Sequence, residues 1–202
     1  MVRDTSNSVA VLFVEPDSIY KTLPGCDCYD AERDALTWAG GCHVVAHPPC
    51  RLWGRMRQFS IAPPDEAELA RWSVDQVREW GGVLEHPAAS RLWWDGKGLA
   101  FPNGREVDDF GGFALSVDQH WWGHRAQKKT WLYVCGCKRS DVPAIPLTMS
   151  DPTHVIRPRA AHPRKPSVTK RERQSTPPEF AEWLVELARA CTTTTRRATD
   201  GV

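Results

Sequence analysis

Three short segments carry the side chains best suited to chemistry. VVAHPPC (residues 44–50) runs an apolar stretch into Pro48 and Pro49 and ends on Cys50. VLEHP (83–87) ends a second apolar run on Glu85, His86 and Pro87. GHRAQKKTWLYV (123–134) sets His124, Arg125, Lys128 and Lys129 before a third. Proline has no N–H for a strand ladder, so it belongs at a strand end. Strand ends are where open α/β sheets hold their ligands. A thiol becomes a useful nucleophile beside a cation or an acid–base partner, and a carboxylate at the same edge can hold and protonate a heterocyclic nitrogen. The spacing thus predicts Cys50, Glu85 and the cations of the third segment on one edge of a sheet. His47 and His86 read as hydrogen-bonding scaffold residues.

The elements that must position them follow from the apolar patterning. SVAVLFVE (8–15) reads as a buried parallel strand. CDCYDAERDALTW (26–38) reads as a short strand leading into a helical turn, and 42–50 as a third strand. PPDEAELARWSVDQVREWGG (63–82) predicts a helix, with prolines and acids at its start and a Gly-Gly stop. Residues 82–87 and 130–136 are further strands. STPPEFAEWLVELARAC (175–191) predicts a second helix, capped by Ser175 or Thr176 and striped by Phe180, Trp183, Leu184 and Leu187. Strand–helix–strand order predicts an α/β fold, an open sheet with flanking helices in a single compact domain. Its parts are a core over 8–137, an extended basic, proline-rich crossing segment over 138–174, the terminal helix 175–191 returning to the core, and a disordered tail over 192–202.

The three segments, in this order, resemble motifs of the DNA cytosine carbon-5 methyltransferases, most closely the short, divergent versions of phages and prophages. Pro-Pro-Cys after a strand, Glu-His-Pro after a helix and strand, and Gly-x-x-x-x-Lys-x-Thr before a strand carry the resemblance. It implies a Rossmann-like, methyltransferase-type sheet, Cys50 as the nucleophile that adds to carbon 6 of the base, and Glu85 assisting at the ring nitrogen, with His86 in an asparagine position. The Gln-x-Arg-x-Arg motif aligns with Ala126, Lys128 and Thr130, which makes Lys128 a third catalytic candidate. The late helix is similar to one that packs beside the family's cofactor site. S-adenosylmethionine is the implied cofactor, with Glu15, Asp30, Glu32 and Pro48 as candidate contacts. The partner is DNA or a pyrimidine nucleotide, the base being extruded or single-stranded when it reacts. The chain departs from the family where a Phe-x-Gly-x-Gly loop should follow the first strand: here the run is VLFVEPDSIYKTLPG.

Charge agrees with a polyanionic partner. Between Lys138 and Arg173 there are nine Lys/Arg against three Asp/Glu, although the whole chain carries only +1. The expected nucleic-acid contacts are Arg51, Arg55, Arg57, Arg125, Lys129, Arg157, Arg159, Arg164 and Lys165. Several tryptophans (Trp53, Trp93, Trp94, Trp121, Trp122, Trp131) are candidates for stacking on bases, and each adjacent pair points its two rings in different directions. Two rival readings stand beside the enzyme: a catalytically inactive nucleic-acid-binding protein of the same fold, and a zinc-stabilised module built on Cys26, Cys28, Cys42, His43, His47 and Cys50, with Cys135 and Cys137 as a further pair. Cys-x-Cys pairs are poor matches to structural zinc spacing, so no metal is assigned. Seven cysteines cannot all pair, which suits free thiols in a reducing, cytoplasmic setting. No apolar run approaches the ~20 residues of a membrane span. Oligomeric state leaves no signature.

Overall fold

The structure, a computed structural model, describes residues 8–55, 57–102, 104, 106–156 and 165–192. Six strands form one mixed sheet: β1 (Val9–Leu12), β2 (Cys26–Tyr29), β3 (His43–Ala46), β4 (Gly82–Pro87), β5 (Phe113–Asp118) and β6 (Lys129–Cys135). Their order in space is β2-β1-β3-β4-β6-β5. β1 is parallel to β2 and β3, and β3 to β4. β6 runs antiparallel between β4 and β5. Helices α1 (Glu66–Trp80) and α3 (Pro178–Arg189) cover opposite faces, and α2 (Lys170–Gln174) is a single short helix before α3. The fold is α/β, with a mixed sheet flanked by helices.

Alternation along the strands assigns the faces. Val9, Val11, Val45, Val83, Leu132 and Val134 meet Phe180, Trp183, Leu184 and Leu187 of α3. Ala10, Leu12, Val44, Ala46, Leu84 and Tyr133 meet Ala70, Val74 and Val77 of α1. Leu184 and Leu187 are completely buried, each burial contributing roughly 1.5–3 kcal/mol. α1 starts after Pro63 and Pro64, carries Glu66 and Glu68 in its first turn and stops at Gly81 (φ 73°). Gly82 (φ 138°) starts β4 so close to β3 that a Cβ would stand 2.0 Å from the Val44 carbonyl oxygen. No side chain fits there.

Several details differ from the sequence expectation. FALSVD (β5) follows Gly111–Gly112 and alternates imperfectly, so no strand was expected; it pairs with β6 along its whole length. Within the 138–174 segment, expected to be an extended crossing, Thr169 and Glu172 build a capping box that starts α2. Neither Ser175 nor Thr176 caps α3; Pro177 is its boundary residue and Pro178 its first. Arg157, Arg159, Arg164 and the tail beyond Thr192 lie outside the described residues. All seven cysteines are unbridged, and no helix among the described residues is long and apolar enough to cross a membrane.

Candidate active site

Because β6 is antiparallel, its beginning lies at the edge where β3, β4 and β5 end. Thr130 pairs with Pro87, and Lys129 with Asp118. The alternation that puts Val83 and Leu132 on the α3 face puts Glu85 and Thr130 there too. β3 ends one residue before His47, whose N–H bonds the Leu12 carbonyl at 3.0 Å. Pro48 and Pro49 then stop the ladder and deliver Cys50, whose carbonyl accepts from the N–H of Trp53 (3.1 Å) and Gly54 (2.8 Å).

Glu85 is the hub. Its Oε2 meets His47 Nδ1 at 3.3 Å, and its Oε1 accepts from Gln119 Nε2 at 3.2 Å. His47 Nε2 lies 3.0 Å from the Tyr20 hydroxyl. Gln119 Nε2 also donates to Thr130 Oγ1 at 3.0 Å. Asp118 holds this corner by accepting from the N–H of His120 and of Lys128. Gln119 is 1% exposed, and its Oε1 has no donor. Lys128 anchors its ammonium on the Ser175 carbonyl at 2.9 Å, joining the edge to the entry of α3.

Charge follows from this geometry. Burial pushes the Glu85 carboxyl up, but the hydrogen bond and charge of His47, with Lys128 behind them, outweigh it and hold the group at about 2. Glu85 is therefore an acceptor at neutral pH. Burial, reinforced by Glu85, pushes the Cys50 thiol up, while Lys128 pulls it back. Cys50 rests as a thiol and needs a base to react. Burial lowers Lys128, and the Glu85 carboxylate opposes the loss of its proton.

His86 faces the α1 side, 0% exposed, with Nδ1 2.7 Å from Ser90 Oγ. Burial lowers it to about 4 against the opposing pull of Glu85 and of the Pro48 and Pro49 carbonyls. It is neutral in the folded chain, whereas an unfolded histidine takes a proton near its ordinary 6.5. Stability from this residue is complete above pH ~6.5 and is lost as pH falls towards 4. Urea titrations should show a loss on the order of 2 kcal/mol between pH 7 and pH 5. His86→Gln should flatten that slope, and an unchanged slope would exclude His86 as its source.

The sequence singled out Cys50, Glu85 and Lys128, and the structure brings them to one edge. Tyr20 and Gln119 were not singled out. His47, read as a scaffold hydrogen-bonder, is one, with Glu85 as its partner. Among the basic candidates, Arg51 pairs with Glu66 and Arg125 with Glu172 of α2. Lys165 donates to the Pro152 carbonyl. Arg55, Arg57 and Lys129 are exposed. No three His, Cys, Asp or Glu groups among the described residues converge to hold a metal.

The residues assigned to S-adenosylmethionine do not fit it. In place of a glycine loop, the chain after β1 folds into a tight turn at Ile19–Thr22 that buries the Tyr20 ring at 1% exposure. Asp30 accepts from Lys21 Nζ through Oδ2 (2.5 Å) and from the N–H of Glu32 and Arg33 through Oδ1, so the chain itself already engages both oxygens. Glu15 and Glu32 are exposed, and Pro48 is buried. In comparisons with known proteins, no family model and no curated protein matches the chain.

Proposed function

We propose that this protein modifies a pyrimidine base in the manner of the cytosine carbon-5 methyltransferases, on a methyltransferase-type sheet. The observation that carries the reading is the meeting of Cys50, Glu85 and Lys128 at the ends of β3 and β4 and the start of β6. Glu85, linked to both His47 and Gln119, sets a carboxylate at this edge, which suits a heterocyclic ring nitrogen. In the reaction, the S–C6 bond forms as the Cys50 proton passes through Glu85 to the ring nitrogen, which neutralises the ring. The C5=C6 electron pair shifts to carbon 5, which takes an electrophile from outside the chain. Loss of the carbon 5 proton and of the thiolate restores the ring. Solvent itself is the simplest electrophile, so the addition can be read with no donor present.

The test is exchange of the carbon 5 hydrogen of cytosine for solvent deuterium, followed by mass spectrometry on duplex DNA, single strands, RNA and free nucleotides. Exchange should occur on at least one of these and vanish in Cys50→Ala. No exchange on any of them would overturn the enzyme reading. A second reading would then stand, a nucleic-acid-binding protein without catalysis. The buried Tyr20 after β1 and the upward-shifted thiol favour it.

A further inference from the structure

Beyond the edge that holds Cys50, on the α1 side of the sheet, aromatic rings stand in the open. Trp94 is 55% exposed and Phe101 42%, although large rings are usually covered. Their centroids are 5.1 Å apart in an edge-to-face contact, and Trp94 leans on Trp131 of β6 at 5.8 Å. The platform is firmly held. Trp93, buried beneath it, donates from Nε1 to the Ala100 carbonyl at 3.0 Å, and Asp95 takes two hydrogen bonds from Arg71, at 2.5 and 2.8 Å.

Backbone contacts tie these rings to the thiol loop. The Cys50 carbonyl holds Trp53, and the Trp53 carbonyl accepts from the N–H of Arg91 at 2.9 Å, at the start of the turn Arg91–Trp94. Arg55, Arg57 and Arg91 are exposed and form no ion pair among the described residues, whereas Arg51, Arg71 and Arg78 all do. Rigid open rings beside uncommitted guanidinium groups match the two demands of an unpaired strand: faces for bases and positive charge for phosphates. A duplex hides its base faces in the stack and cannot use the rings.

We propose that Trp94, Phe101 and Trp131, with Arg55, Arg57 and Arg91, bind single-stranded nucleic acid, the bases stacking on the rings as the strand passes Cys50. The surface does not depend on chemistry at Cys50.

Fluorescence anisotropy of a labelled mixed-sequence 20-nucleotide strand, with the matching duplex as comparison and the full chain at low salt, tests this. The strand should bind more tightly than the duplex. Trp94→Ala should weaken it roughly tenfold, and Trp94→Phe, which keeps a ring, should recover most of the loss. Arg55→Ala with Arg57→Ala should weaken binding and make it less sensitive to salt. Three results would overturn the proposal: no strand binding by the folded wild-type chain, equal affinity in Trp94→Ala, or a preference for duplex that Trp94 does not influence. Self-association on a sizing column that Trp94→Ala abolishes, with no strand bound, would make the patch a protein interface instead. Intact strand binding beside failed deuterium exchange would sink the enzyme reading and leave this one standing.

Discussion

Glu85→Gln should slow carbon 5 exchange by ~10²–10⁴-fold while leaving the chain folded. The substitution preserves shape and removes charge. The carboxylate accepts from His47 on one oxygen and from Gln119 on the other, and both partners are donors. An amide can satisfy only one of them through oxygen; its NH₂ must then face the other donor. Two consequences follow. The group that would pass a proton to the ring nitrogen is lost, so the negative charge that builds on the ring after thiol addition is no longer neutralised. Cys50 also loses the base that takes its proton, and its thiol is already shifted up by burial. His47→Asn should have a smaller effect, because it releases Glu85 from its low pKa without removing the carboxylate. Exchange in Glu85→Gln at the wild-type rate would leave the carboxylate without a role at this edge.

Legibility in the sequence followed local signals. Cys50 and Glu85 stood out because proline marks the ends of β3 and β4, and a strand end in an open sheet is a place where side chains become accessible. α1 announced itself through Pro63, Pro64 and the Gly81 stop. Tyr20 and Gln119 carried no such mark. Gln119 follows β5, a strand whose outward Ser116 and terminal Asp118 blur the apolar pattern, so both the strand and its neighbour were missed. Tyr20 sits in a tight turn of mixed residues, and its meaning arises only when β1 and β3 lie side by side and bring His47 to it. The direction of β6 was equally silent. Pairing with both β4 and β5 sets it, and that antiparallel insertion is what carries Lys128 to the thiol's edge. Charge density proved a weak guide to free cations: Arg51 and Arg125, both candidates, are already committed to carboxylates, whereas Arg91, which was not singled out, is not.

Arg78→Met should cost about 3–5 kcal/mol of folding stability, and Asp108→Asn in the same chain should restore a large part of it. Arg78 leaves α1 with a side chain only 7% exposed and meets Asp108, 3% exposed, at 2.9 Å. Its Nε donates to the Tyr133 hydroxyl at 2.9 Å, another N–H reaches the Lys97 carbonyl at 2.8 Å, and the guanidinium lies over the Phe110 ring at 3.8 Å. Tyr133 in turn donates to Asp108 Oδ2 at 2.7 Å, and Asp108 Oδ1 accepts from the N–H of Phe110 and Gly112. Both Asp108 oxygens and two of the three Arg78 nitrogens are hydrogen-bonded, so the main cost of removing one member is the charge left behind. Methionine fills the space of the arginine stem and leaves Asp108 ionised in a dry site. Neutralising Asp108 as well removes that charge while an amide oxygen can still accept from the loop. The network clamps the 106–112 segment against β6 immediately before β5 begins, and β5 delivers Asp118 and Gln119 to the candidate site. Chemical denaturation of the single and double variants measures the coupling directly. A single variant as stable as wild type, or a double variant no better than the single, would mean that the ion pair does not hold this corner of the fold.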